Sequence, residues 1–361
     1  MIKKIKVAVK GMPYFVYIGN GALKELPGLI KKTDIGQDVV LITTPNLAKI
    51  YGERLKALLR KSCSGILALT IPDSEKSKSA GIAFDLIEKI TKFDTKKKIF
   101  LAAFGGGVVG DLTGFIAAIY KRGVPYIQIP CSLLAQIDSS IGGKTAVDTA
   151  FGKNLVGAFY QPRFVLADTG LLKTLPAGQI RAGLSEALKY AVIKDSKLFE
   201  FFRKNLRKIK ALDPEAINTV ILRCAGLKAS IVAVDEFDKR GVRIILNFGH
   251  TFGHAVEAAS NYKISHGEAV AIGIVAACRL SCRLGLLDEK IASEISGIIR
   301  TIGLPAKIKG IRPDNVLSAL KHDKKFTHGK NRFVLLEAIG KTKIVENIPE
   351  RLLKEVIEGL Y

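Results

Sequence analysis

Along the first half of the chain, short runs of β-branched and aliphatic residues alternate with longer stretches of helical periodicity. VVLIT (39–43) precedes a helical pattern over 45–61, and GILALTI (65–71) precedes another over 77–92. KIFLAAF (98–104), YIQIP (126–130) and RFVLAD (163–168) continue the series. Continuous apolar runs of this length, separated by amphipathic stretches, predict parallel strands covered by helices on both faces. The opening MIKKIKVAVKGMPYFVYIGNG also reads as strands, and it lacks the uninterrupted apolar stretch of a signal peptide. Beyond Pro176 the period lengthens: helical patterns fill 178–195, 214–235, 249–260, 266–285 and 288–302, and a short β-like RFVLLEAIG (332–340) follows. The expectation is an α/β domain with a parallel sheet over residues 1–175 and an all-helical domain over 176–361. The most apolar stretch, 269–287, is interrupted by Arg279 and Arg283, so it predicts a buried helix and no membrane span.

Composition narrows the setting. A length of 361 residues suits two cores, and 48% hydrophobic residues supply the surface to bury. The five cysteines form no CxxC pair, which fits a reducing, cytoplasmic compartment; Cys278 and Cys282 read as small core residues. The formal net charge of +23 is spread over scattered lysines, without aromatic interleaving or a nucleic-acid motif. A solvated surface explains most of it, and attraction of an anionic small substrate is the useful remainder. Binding to nucleic acid would leave the chemistry below unexplained.

That chemistry centres on LNFGHTFGHAVEAASNYKISHGE (246–268). His250 and His254 stand one helical turn apart, and His266, followed by Gly267 and Glu268, returns after a turn. Paired polar histidines on a helix are commonplace, but three in so short a span suit a divalent metal. In RAGLSEALKYAVI (181–193), Glu186 sits among apolar residues with Lys189 three positions on. A carboxylate buried there needs a cation. Glu186 with His250 and His266 gives a two-histidine, one-carboxylate set that leaves room for substrate oxygens. Lys228, Arg243 and Asn247 supply an anion-friendly rim.

The α/β half carries a second set. Phe104 ends a strand, and Gly105, Gly106 and Gly107 lead into a helix, the arrangement in which backbone N–H groups meet a phosphate. Glu75 and Lys78 in PDSEKSKS (72–79) suit ribose and phosphate contacts. Arg122 can grip a carboxylate or phosphate in two-pronged fashion. The stretch 131–154, CSLLAQIDSSIGGKTAVDTAFGKN, reads as a flexible binding loop carrying Asp138, Lys144, Lys153 and Asn154.

Taken in order, FGGGVVGDLTGFIAAIYKRG, IPCSLLAQIDSSIGGKTAVDTAFGKN, AGLSEALKYAVI, LNFGHTFGHAVEA and SHGEAVAIG resemble the 3-dehydroquinate synthase family, over about residues 65–340. That family belongs to the sugar-phosphate cyclases, related in fold to glycerol and iron-type alcohol dehydrogenases. The resemblance implies an NAD-binding α/β domain, a helical domain holding zinc or cobalt, and a homodimer. It also implies conversion of 3-deoxy-arabino-heptulosonate 7-phosphate to 3-dehydroquinate and phosphate, the second step of the shikimate pathway.

Carried over by motif, Glu186, His250 and His266 hold the metal, and His254 transfers a proton. Arg122, Asp138, Lys144, Asn154, Lys189, Lys228, Arg243, Asn247 and Lys325 of the HDKK segment surround the substrate, with Lys324 the alternative to Lys325. Glu75, Lys78, Gly105, Gly106, Gly107, Asp111, Cys131, Ser132, Lys144, Lys153 and Thr174 face NAD.

The chain departs from the family in three places. Cys131 and Ser132 replace two threonines that contact the nucleotide. VDEFDKRGVRIILN is one residue longer than usual, so the acidic residue before its glycine is Asp238 only if the loop bulges, and otherwise Lys239 takes the position. No acidic residue stands near Thr44 for the adenosine ribose. A different sugar-phosphate cyclase and a metal-dependent polyol dehydrogenase are the alternatives.

Overall fold

The computed structural model describes residues 2–94, 98–321 and 331–361. It divides into two compact units, 1–175 with 217–239 and 176–216 with 240–361.

The first unit contains β1 (Lys3–Val7), β2 (Tyr14–Gly19), α1 (Leu26–Thr33), β3 (Asp38–Thr43), α2 (Pro45–Leu59), β4 (Gly65–Thr70) and α3 (Ala80–Phe93). β5 (Ile99–Gly105), α4 (Gly107–Ile119), β6 (Tyr126–Pro130), β7 (Lys144–Thr149), β8 (Gly152–Phe159) and β9 (Phe164–Asp168) follow. Seven strands form one sheet in the order β1-β2-β9-β6-β5-β3-β4, parallel throughout except for the antiparallel β1–β2 pair. Every residue of β3, β5, β6 and β9 is buried, as continuous apolar strands require. Two apolar layers cover the sheet, one around Leu26, Leu55 and Phe100, the other around Leu86, Leu101 and Leu112. Helix starts follow local chemistry: Thr44 caps α2 with Pro45 next to it, and Ser79 caps α3.

From β3 the chain moves outward to β4 and then returns to the other side of β3 as β5. The strand order therefore reverses between β3 and β5, the switch point at which α/β sheets bind ligands beyond their carboxyl ends. The glycine turn Gly105–Gly107 lies at that point.

The second unit begins with α5 (Ala177–Lys194) and α6 (Ser196–Lys210). The next helix, α7 (Pro214–Val234), leaves it: from Ile217 to Lys239 the chain belongs to the first unit. This corrects the expectation that 176–361 forms one domain. Side-chain partners account for the difference. Lys228 pairs with Asp138, Gln161 Nε2 donates to Glu236 Oε1 at 3.3 Å, and the Phe237 ring meets Phe159 edge-on at 5.6 Å. Among the described residues α7 alone is long and apolar enough to cross a membrane, and half of that apolar window is buried.

The chain then completes the second unit with α8 (His250–Ala259), α9 (His266–Arg283), α10 (Glu289–Ile302), α11 (Pro313–Lys321), β10 (Arg332–Ala338), β11 (Lys341–Glu346) and α12 (Glu350–Glu358). The β10–β11 hairpin means that this half is helical but not all-helical. α9 is its central helix, buried almost continuously from Gly267 to Ser281, as expected of a helix apolar on every side.

The stretch read as a flexible loop over 131–154 is also ordered. Ala135–Ser139 forms a π-helical turn, and after the glycine pair Gly142–Gly143 residues 144–159 fold as the antiparallel β7–β8 hairpin, which closes at Thr149 and Gly152. Its polar composition reflects exposure of β8.

Candidate active site

Three helices of the second unit bring the predicted metal ligands together. Glu186 comes from the middle of α5, His250 from the first position of α8 and His266 from the first position of α9. Their ligand atoms all lie within 4.8 Å of one another. His250 Nε2 is 3.2 Å and His266 Nε2 3.3 Å from the same oxygen, Glu186 Oε1. Ligands bonded at 2.0–2.1 Å to a tetrahedral zinc lie about 3.3 Å from each other, so these spacings match edges of such a shell. The donor set fits a divalent ion of the zinc type.

Electrostatics prepares the same chemistry. Glu186 is 2% exposed, and its other oxygen meets Lys189 Nζ at 2.5 Å. Burial alone would raise its carboxyl, but Lys189 and His250, joined by His266, hold it well below the ordinary carboxylate range. Burial depresses His250 below its ordinary value, helped by the Lys189 charge and opposed by Glu186, a direction that favours the neutral form a metal takes. Burial opposes charge on His266, yet its hydrogen bonds to Glu186 and Glu257 prevail and push it up to about 10. A proton or a metal ion satisfies these carboxylates equally well in sign.

His254 is exposed, with its ring 5.5 Å from that of His250 and 6.2 Å from that of His266. It stands beside the ligand set, with Glu257 one turn further along α8. Arg243 is buried and Asn247 half-buried in the short helical turn before α8.

Two acidic residues near the histidines have different local partners. Glu268, which follows the third histidine in sequence, closes a capping box with Ser265 at the start of α9. Glu257, unassigned by sequence reasoning, is the carboxylate on the far side of His266 from Glu186, with Oε2 3.1 Å from Nδ1. Its spacing was the available signal: His250, His254 and Glu257 fall at i, i+4 and i+7, one helical face.

The first unit gathers the remaining candidates. Beyond β5, the glycine turn opens α4, whose Asp111 accepts a 2.5 Å hydrogen bond from Lys78 Nζ. Burial pushes the Asp111 carboxyl up to about 6 against the lowering pull of Lys78. Lys78, only 4% exposed, also donates to Asn154 Oδ1. Glu75 is exposed in the turn before Lys78, and Lys153 is exposed on β8. Cys131 and Ser132 are buried beside the glycine turn, where Cys131 N donates to Gly105 O at 3.0 Å. Burial pushes the Cys131 thiol up to about 12, so it is a neutral contact and not a nucleophile. Thr174 shares a 2.8 Å hydrogen bond with the Tyr51 hydroxyl.

Asp138 stands in the π-helical turn and pairs with the buried Lys228. Lys144 meets Asp238 Oδ2 at 2.5 Å. Asp238 is left-handed, with φ of 55°, and its carboxylate is the group that reaches Lys144. Lys121 and Arg122 are both left-handed as well, at φ 48° and 64°. Two such residues in succession are strained, and strain of this kind gathers at functional positions. Lys324 and Lys325 lie outside the described residues.

Comparison with known proteins is consistent along the whole chain. Residues 68–182 match the profile of the 3-dehydroquinate synthase N-terminal part, and 183–326 that of its C-terminal part. The 3-dehydroquinate synthase of Dehalococcoides mccartyi is 43% identical over 359 residues, covering 99% of this chain and 100% of the relative. Among solved structures, a 2-deoxy-scyllo-inosose synthase bound to carbaglucose-6-phosphate, NAD+ and Co2+ superposes with a TM-score of 0.90 at 27% identity, covering 99% of this chain and 100% of that one. A 2-epi-5-epi-valiolone synthase of Streptomyces hygroscopicus subsp. jinggangensis with NAD+ and Zn2+ gives 0.87 at 28%, with 98% of each chain covered. Identity over the full length, profiles spanning both halves and a shared fold lead to one conclusion: the chain belongs to the 3-dehydroquinate synthase family.

Proposed function

We propose that this chain is a cytoplasmic, NAD- and divalent-metal-dependent lyase that converts 3-deoxy-D-arabino-heptulosonate 7-phosphate to 3-dehydroquinate and phosphate. The observation that carries the reading is the convergence of His250 Nε2 and His266 Nε2 on Glu186 Oε1 at 3.2 and 3.3 Å. Membership of the family, with relatives of this activity at 43% identity, favours this substrate over the hexose phosphate of the inosose synthases.

Glu186, His250 and His266 hold the metal, zinc or cobalt. The bound ion supplies Lewis-acid polarisation of a substrate oxygen, and NAD supplies a hydride acceptor that is regenerated within each turnover. The glycine turn at Gly105–Gly107 and the N-terminus of α4 receive the nucleotide phosphates, with Lys78 and Asp111 alongside. Cys131, Ser132, Lys153 and Thr174 complete the nucleotide contacts. Arg122, Lys144, Lys228 and Arg243 bind the substrate's phosphate and carboxylate, while Asp138, Asn154 and Asn247 orient its hydroxyls. Lys189 holds Glu186 ionised. His254, exposed beside His266, moves a proton at its ring nitrogen. With NAD as hydride acceptor and donor, oxidation of one hydroxyl would acidify the adjacent C–H and so permit loss of phosphate, and return of the hydride would precede ring opening and an internal aldol closure. The residues' main contribution to those last steps is to hold geometry. The active form is a homodimer.

The reading is tested by product analysis. Enzyme stripped with a chelator, then given NAD and the heptulosonate phosphate, should form 3-dehydroquinate only once zinc or cobalt is restored. Turnover of a hexose phosphate in its place would move the chain to the inosose-forming branch.

A further inference from the structure

We propose that Glu257 is a positioning residue that fixes His266 in the tautomer and orientation needed to bind the metal. The proposal rests on the metal reading given above. A neutral imidazole carries one proton and can offer only the other nitrogen to a metal. His266 Nδ1 faces Glu257 Oε2 at 3.1 Å, and Nε2 faces Glu186 Oε1 at 3.3 Å. Without a metal both nitrogens face carboxylates and both carry protons. An ion beside Glu186 would displace the proton on Nε2, while Glu257, which only accepts, would keep the other on Nδ1 and leave the Nε2 lone pair for the ion.

His250 solves the same problem differently. Its Nδ1 lies 3.1 Å from the carbonyl oxygen of Phe248, a partner built into the backbone. That ring is well enclosed, with 11% of its side chain exposed. His266 is the first residue of its helix and its side chain is 37% exposed, so packing restrains it less. It needs a partner from elsewhere, and Glu257 reaches it from α8.

Glu257 is itself 6% exposed. A carboxylate so enclosed is expensive to keep charged, and helix α8 has exposed positions, such as that of His254, where it would remain solvated. Its placement against Nδ1 gives the burial a function: the acceptor's charge also makes the opposite nitrogen a stronger donor to a metal. The competing arrangement is a second ion held by His254, Glu257 and His266, whose ligand atoms also lie within 4.8 Å of one another. That ion would take Nδ1 away from Glu257's proton contact and raise the metal content to two per chain.

The test compares the wild-type protein, Glu257→Ala, Glu257→Gln and His250→Ala. It reads zinc stoichiometry, zinc affinity by competition with a chromophoric chelator, and the visible spectrum of the cobalt form. One ion per chain is expected in the wild type, with affinity about 10–100-fold weaker in Glu257→Ala and a changed cobalt spectrum. Glu257→Gln, whose amide oxygen still accepts from Nδ1–H, should recover much of that loss and guards against a variant that merely folds poorly. Unchanged affinity and spectrum in Glu257→Ala would overturn the proposal, as would a second ion lost from that variant. If the wild type binds no metal, or His250→Ala binds it as well as the wild type, the metal reading itself fails and the role of Glu257 falls with it.

Discussion

Glu186 is a carboxylate with 2% exposure, and cations on two sides keep it ionised there. Lys189, whose side chain is equally buried, is one of them. Replacing Lys189 by Met should destabilise chelator-treated protein by about 3–5 kcal/mol, because a buried charge loses its partner. Bound zinc should return part of that loss. Urea unfolding with chelator and with zinc reads both numbers, and equal losses would show that no ion compensates Glu186. His250→Ala should retain no stoichiometric metal after dialysis and lose turnover with it, read by elemental analysis beside the assay. Arg122→Ala should weaken substrate use while NAD binding, followed by calorimetry, stays unchanged. At this scale the sequence was most legible where a residue breaks its local pattern. An acid in an apolar helix and histidines at i and i+4 announce themselves. Glu257 was hidden because an acid in the third turn of a polar-faced helix looks solvated until its burial is known.

The elements hold this site in register through close backbone contacts. On α9, a Cβ added at Gly273 would stand 2.0 Å from the carbonyl oxygen of Gly249 and 2.7 Å from the amide of Gly253, which flank His250 on the α8 side. At Gly267 a Cβ would meet Ala182 of α5 at 2.3 Å. The helices carrying His250, His266 and Glu186 therefore touch at positions where only the smallest residues fit. Gly273→Ala should push α8 from α9, costing about 1–3 kcal/mol through overpacking and weakening metal affinity at the same time. Thermal unfolding and chelator competition check the two effects, and a variant with normal affinity would show that α8 and α9 tolerate displacement. Strands and helices with strong periodicity were legible in the sequence almost to the residue, as at VVLIT and 266–285. The β7–β8 hairpin was not, because β8 is largely exposed and offers no apolar alternation to read.

Across the whole molecule, a change from α/β to helical patterning at Pro176 coincides with a boundary between the units. Membership of 217–239 in the first unit could not be read from periodicity, which reports that a helix has an apolar face and not which core receives it. The net charge of +23 belongs to this scale too. A long-range positive field should steer a substrate that bears both a phosphate and a carboxylate, so kcat/KM should fall severalfold between roughly 50 and roughly 500 mM salt while kcat changes little. Stopped-time assays across that range check it, and a flat kcat/KM would confine the charge to solubility. The central claim is a redox cycle that closes within each turnover. The most direct measurement follows phosphate release and NADH absorbance together, in protein supplied with the heptulosonate phosphate, NAD and zinc or cobalt. The account predicts chelator-sensitive phosphate release matched by 3-dehydroquinate, with no accumulation of NADH; NADH rising with turnover, or no phosphate released, would contradict it.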